Sequence, residues 1–117
     1  MTTNQSIPQR HNFRKLNVWV EAVDLAVSIF KVTKKYPDFE KYSIISQITR
    51  RAVSVPSNIA EGCTRKSNKH FVTFLEIASG SAFELETQLI ISNKIGYLNN
   101  SDYEQLSQKI IVFKKTS

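Results

Sequence analysis

With 117 residues, 41% hydrophobic and 22% charged, the chain has room for one globular domain with a modest core. Three glycines and three prolines leave little material for many turns, which favours a few long helices over a β-fold. The net charge of +6 is uneven: residues 1–60 carry nine Lys/Arg against four Asp/Glu, whereas residues 61–117 carry seven against six. Such an excess suits nucleic acid or another acidic partner, or solubility alone.

Met1 to Asn12 is polar, contains Pro8 and shows no periodicity, so residues 1–12 are expected to form a mobile arm ahead of a bundle domain over 13–117. A first helix is predicted over about Asn17 to Tyr36, with Asn17 as N-cap. Along it Leu16, Val20, Val23, Val27 and Phe30 repeat at alternating four- and three-residue steps, and Trp19, Ala22, Ala26 and Ile29 form an adjacent stripe. Together they make one wide apolar face. Lys31, Lys34 and Lys35 suit the negative end of the helix dipole, and Pro37 stops the helix.

The second helix is predicted over about Ser43 to Glu61, on the stripe Ile45, Ile48, Ala52, Val55 and Ile59. Pro56 interrupts it, removing one backbone donor and clashing with the carbonyl of Ala52, so a kink is expected while the stripe continues in phase. Gly62 is expected to cap this helix. A third helix, about Asn68 to Ile95, has Ser67 as N-cap, a stripe of Phe71, Leu75, Ala78, Ala82, Leu85, Leu89 and Ser92, and Gly96 at its end. Gly80 in its middle costs roughly 1 kcal/mol against alanine, and its expected reason is close approach of the second helix near Thr49. The fourth helix, about Asp102 to Lys115, uses Tyr103, Leu106, Ile110 and Phe113, with capping-box spacing between Ser101 and Glu104. Four such helices on short turns define an all-α, up-down-up-down four-helix bundle.

The densest motif spans the second turn. It runs Arg50-Arg51-Ala-Val-Ser-Val-Pro56-Ser-Asn58-Ile-Ala-Glu61-Gly62, followed by Arg65, Lys66 and Lys69. With Phe13 to Leu16, Trp19, Tyr36-Pro37, Gln47 and Gly80 to Glu86, it resembles the four-helix-bundle family of proteins encoded in intervening sequences of 23S ribosomal RNA genes. The accessory variability determinant of diversity-generating retroelements is a relative of that family. The resemblance covers about Phe13 to Leu106, and it implies the same bundle fold, a ring-like homopentamer, and bacterial partners such as nucleic acid or a reverse transcriptase.

Catalytic chemistry finds no foothold in the sequence. No Glu-x-x-His pair exists for a di-iron bundle, and one cysteine with two histidines cannot make a structural zinc site. Cys63 and His70 straddle a turn without a third group to orient them, so Cys63 is expected to be structural, and Glu84 and Glu86 point to different helix faces. No glycine-rich phosphate loop is present. No enzyme, no metal and no cofactor are therefore expected. The longest apolar run, Ile110 to Phe113, is far short of a membrane span, the first nine residues lack the apolar segment of a secretory signal, and one cysteine allows no intrachain disulfide. A cytoplasmic setting fits.

What remains is surface. On the third helix Phe83 and Ile90 lie well off the centre of the core stripe, and a second apolar surface on a bundle helix suggests oligomerisation. Around an oligomer the cations repeat. Arg50, Arg65, Lys66 and Lys69 are the candidate contacts to RNA or DNA, bound through phosphate without strong sequence preference because few aromatic rings are expected to be free for stacking. Arg51, Asn58, Glu61 and Glu84 are candidate structural polar groups; antiparallel counting about residues 62–67 sets Arg51 beside Glu84. The alternative is a scaffold for a protein partner, its charge serving solubility.

Overall fold

The computed structural model describes residues 12–116; most of the N-terminal arm expected over residues 1–12 lies outside them. Four helices follow in order: α1 (Asn17–Thr33), α2 (Ile44–Gly62), α3 (Asn68–Lys94) and α4 (Asn100–Thr116), with single 3-10 turns at Phe13–Lys15 and Asp38–Glu40. No strand occurs among the described residues. Each helix packs on its sequence neighbours and α1 also packs on α4, which closes the up-down-up-down bundle; α2 on α3 is the most extensive contact.

The core follows the predicted stripes on α2, α3 and α4. Ile48, Ala52, Val55 and Ile59 of α2 meet Ala78, Ala82, Leu85 and Leu89 of α3, and Leu106, Ile110 and Phe113 come in from α4. Burying such a leucine or isoleucine contributes about 1.5–3 kcal/mol each before entropy is counted. Helix α1 differs from expectation. Its core side is Ala22, Leu25, Ala26 and Ile29, while Val20, Val27 and Phe30 stand nearly half exposed. The physical reason is width: two adjacent stripes exceed what one bundle can cover, and α1 turns the one with two alanines inward, which allows close packing. Pro56 sits buried inside a helix that continues from Ile44 to Gly62.

The helix ends depart in detail. Helix α1 stops at Thr33, whose hydroxyl donates to the Phe30 carbonyl, and Lys34 to Tyr36 form a turn before Pro37. Asn17 makes no cap; the chain enters α1 from extended Leu16, with no side-chain cap bond. Ser67 does cap α3, accepting from the His70 amide at 3.2 Å. At α4 the cap is Asn99, whose Oδ1 accepts from the Asp102 amide at 2.7 Å, in place of the Ser101–Glu104 box. Gly96 ends α3 in the left-handed region at φ +89°, where a side chain would be strained.

The two helical glycines differ from expectation, and the close approach expected at Gly80 is found at Gly62. A Cβ on Gly80 would meet nothing within 4 Å, so no neighbouring helix approaches it. A Cβ on Gly62 would lie 3.0 Å from the Cβ of Phe74 and 3.3 Å from the Phe71 ring. Gly62 is therefore the close-approach glycine that lets the start of α3 lie against the end of α2, and it needs no left-handed backbone to do so. Among the described residues no helix is long and apolar enough to cross a membrane.

Candidate nucleic-acid interface

The motif at the end of α2 is held by its own residues and by α3. Arg65 donates to Glu61 at 2.6 Å, and its guanidinium lies 4.8 Å over the Phe74 ring. The backbone allows this four-residue pair because helical-type turns continue past Gly62: Thr64 donates to Glu61 and Arg65 to Gly62. Asn58 donates to the Ser54 carbonyl at 2.8 Å and to its hydroxyl at 3.0 Å, and Ser54 meets Ser81 of α3 at 2.9 Å. Arg51 reaches Glu84 at 3.3 Å across α2 and α3, as the counting about the turn places them. Cys63 is buried, so its thiol is sealed from solvent.

The candidate cations do not form one cluster. Lys66 and Lys69 are exposed at the α2–α3 turn, beside Arg65. Arg50 is also exposed, but twelve residues before Gly62, which is about 18 Å along the helix axis. Of the four, Arg65 is already engaged by Glu61 and Phe74. The remaining ion pairs, Lys35–Asp102, Lys109–Asp24 and Lys114–Glu86, tie α4 to the turn after α1, to α1 and to α3. Among the described residues they leave Arg14, Lys15, Lys31, Lys34, Lys41, Arg50, Lys66, Lys69, Lys94 and Lys115 outside any ion pair, and Lys34, Lys41, Lys66 and Lys69 of these lie at the two turns that flank α2.

The apolar candidates on α3 separate as well. Phe83 is 55% exposed, with the Lys114 ammonium 4.0 Å from its ring centre, whereas Ile90 is half-buried. Ile77 and Ile91 are more exposed than Ile90 and lie on the outer face that includes open Gly80. Between α1 and α4 runs a groove of about 660 Å³, lined by Val20 and Val112 together with Glu21, Asp24 and Lys109.

The α1–α2 turn was not singled out by the sequence. It carries Phe39 and Tyr42, 80% and 89% exposed, well beyond any other large apolar side chain in the described residues. Backbone bonds from Glu40 to Pro37, Lys41 to Asp38 and Ser43 to Glu40 hold the turn. The Glu40 carboxylate accepts from the Ser43 hydroxyl and, at 2.6 Å, from the Tyr97 hydroxyl. These bonds, Ser43 first, lower the Glu40 pKa, and the same contact raises that of Tyr97. Tyr97 in turn packs its ring against Tyr36, whose own pKa burial raises. Beside the turn lies a groove of about 330 Å³ lined by Phe30, Thr33, Lys34, Tyr36, Asp38, Lys41, Ile45 and Thr49. One signal pointed there: two aromatics three residues apart, between a proline and the next helix, with no periodic partner.

Among the described residues no group of three His, Cys, Asp or Glu side chains is placed to hold a metal ion. A family model for the 23S rRNA-intervening sequence protein matches residues 14–116. The crystal structure of a protein of unknown function from the S23 ribosomal protein family of Bacteroides thetaiotaomicron VPI-5482 is similar, with 26% sequence identity and a TM-score of 0.78; the match covers 85% of this chain and 89% of that one. None of the curated proteins compared with this chain matches it.

Proposed function

We propose a function from one premise: the chain belongs to the 23S rRNA-intervening sequence protein family. In this reading it is a non-enzymatic, cytoplasmic assembly protein. Copies associate into a homo-oligomer, a pentamer by family resemblance, and the repeated cationic surface binds RNA or DNA weakly through phosphate.

The observation that carries the reading is the pairing of uncovered apolar helix faces with unneutralised cations. On α1, Val20, Val27 and Phe30 keep a heptad-like spacing yet face outward, and on α3 Ile77 and Ile91 flank a glycine with open space above it. A monomer gains nothing from either face, whereas a second copy would bury both. Lys31, Lys34, Lys41, Arg50, Lys66 and Lys69 then recur once per subunit, and multiplied charge attracts a polyanion by counterion release.

Light scattering combined with a salt titration tests both halves. The expected result is an oligomer at tens of micromolar by the family's number, and nucleic-acid affinity that falls steeply between about 50 and 200 mM salt. Phe83→Asp, which puts a charge on the outer surface of α3, is expected to weaken the oligomer. A monomer at that concentration overturns the first half. An intact oligomer that leaves labelled RNA and DNA unshifted at low salt overturns the second, and leaves a protein-binding scaffold as the reading.

A further inference from the structure

We propose that the α1–α2 turn is a docking site for single-stranded nucleic acid, in which unpaired bases stack on Phe39 and Tyr42 while Lys34 and Lys41 meet the flanking phosphates. This deepens the nucleic-acid half of the proposed function and rests on it.

Exposed apolar residues are common on any surface, and one such ring would carry no argument. Here two rings share one short turn, and the turn is fixed. Three backbone hydrogen bonds close it, and the Glu40 carboxylate anchors it to Ser43 and to Tyr97 of the α3–α4 connection. The rings are therefore presented by a built platform, and neither belongs to the buried core clusters or the side chains packed against them.

Charge selects the partner. Lys31 is exposed on the last turn of α1, Lys34 just beyond its end and Lys41 in the turn itself, all outside the ion pairs, with the Lys41 ammonium 5.6 Å from the Tyr42 ring centre. Of the two acids in the turn, Glu40 is occupied by two hydroxyl donors. Asp38 lines the adjacent 330 Å³ groove, where it can accept from a base amino group. That volume is at the low end for small-ligand pockets, a size for one nucleotide unit beside the rings. Exposed aromatics with interleaved cations are the means by which proteins hold unpaired bases, because every base offers a π-face regardless of its identity. A duplex hides those faces, and the blunt turn offers no helix or ribbon to enter a major groove.

The test compares a short labelled RNA without self-complementarity with the duplex of the same sequence, at about 50 mM salt. The proteins are the full chain, its Phe39→Ala/Tyr42→Ala variant and its Lys66→Ala/Lys69→Ala variant, each checked for helix content by circular dichroism. The wild type is expected to prefer the single strand. The aromatic variant is expected to lose roughly tenfold or more of single-strand affinity with little change for duplex. The lysine variant is expected to weaken both forms alike. An aromatic variant that binds the single strand as tightly as wild type overturns the stacking site while leaving nucleic-acid binding in place. A wild type that binds neither form overturns the underlying function as well. Vesicles of anionic lipid form the last arm: if the aromatic variant loses vesicle binding and keeps RNA binding, the turn is a membrane contact and the proposal fails.

Discussion

The two turns that flank α2 are opposites. The α2–α3 turn lies in the most distinctive stretch of the sequence, yet much of its chemistry is spent internally: Gly62 against Phe74, Arg65 on Glu61 and the Phe74 ring, and Cys63 buried. The α1–α2 turn carries no recognisable motif beyond Pro37, yet it displays the two most exposed aromatic rings in the described chain. A dense motif can thus mark a place where packing tolerates little variation, while available surface sits where the sequence looks plain.

The strongest way to break that comparison is Gly62→Ala. The new methyl group would meet the Phe74 Cβ, which is fixed to its backbone and cannot swing aside. A loss of about 1–3 kcal/mol is expected, lowering the thermal midpoint by several degrees. An unchanged midpoint would remove the claim that close approach explains this glycine. Gly80→Ala is the control, since nothing lies within 4 Å of its new methyl. It should stabilise the isolated bundle by up to about 1 kcal/mol through helix propensity. If the outer face of α3 joins a second copy, the same variant should also weaken the oligomer, a readout that a purely intrachain role would leave alone.

Arg65→Ala is expected to cost about 0.5–1 kcal/mol, because its ion pair is two-fifths exposed and its ring contact adds a modest term. Denaturant midpoints would register this; a neutral result would return Arg65 to the pool of free phosphate contacts. Phe39→Ala/Tyr42→Ala should shift stability by no more than about 0.5 kcal/mol, as expected of exposed side chains. A larger loss would mean that the rings support the fold.

The smallest expected effect is acidic. Glu40 has a lowered pKa in the folded protein, so its contribution is present above the ordinary carboxylate range and is lost as pH falls through the folded value. Tyr97 runs the other way: its raised pKa makes its contribution full below the usual phenol value and lost as pH climbs through the folded one. Amide exchange across residues 38–43 is therefore expected to quicken at both extremes, and Glu40→Gln should remove the acid limb. Exchange that ignores pH once its intrinsic dependence is subtracted would show that these bonds do not hold the turn.

How legible this was depends on how many ways an element could satisfy its pattern. The in-phase stripes of α2 and α3 admit one inward face each, so their core and the Arg51–Glu84 pairing followed from counting. Helix α1 offers two apolar stripes side by side, and periodicity cannot say which the neighbours cover; Val20, Val27 and Phe30 ended outside. Gly80 failed for a related reason, because a sequence does not distinguish a glycine that admits a neighbour from one that faces open space. The α4 cap shifted from Ser101 to Asn99, a two-residue choice between side chains that can both accept a backbone N–H. The candidate cations were visible as charge, but their separation along α2 and the capture of Arg65 are properties of the folded surface.

Helix α2 also has a length, and length is a kind of selectivity. Its 19 residues hold the two turns about 28 Å apart, a span of roughly eight nucleotides of one stacked strand at about 3.4 Å each. An oligonucleotide shorter than this span can occupy one turn at a time. A longer one can grip both, and its second contact forms at the high effective concentration set by the first. Affinity plotted against ligand length should therefore climb in a step and not in proportion, with the bundle acting as a molecular ruler whose graduation is set by a single helix.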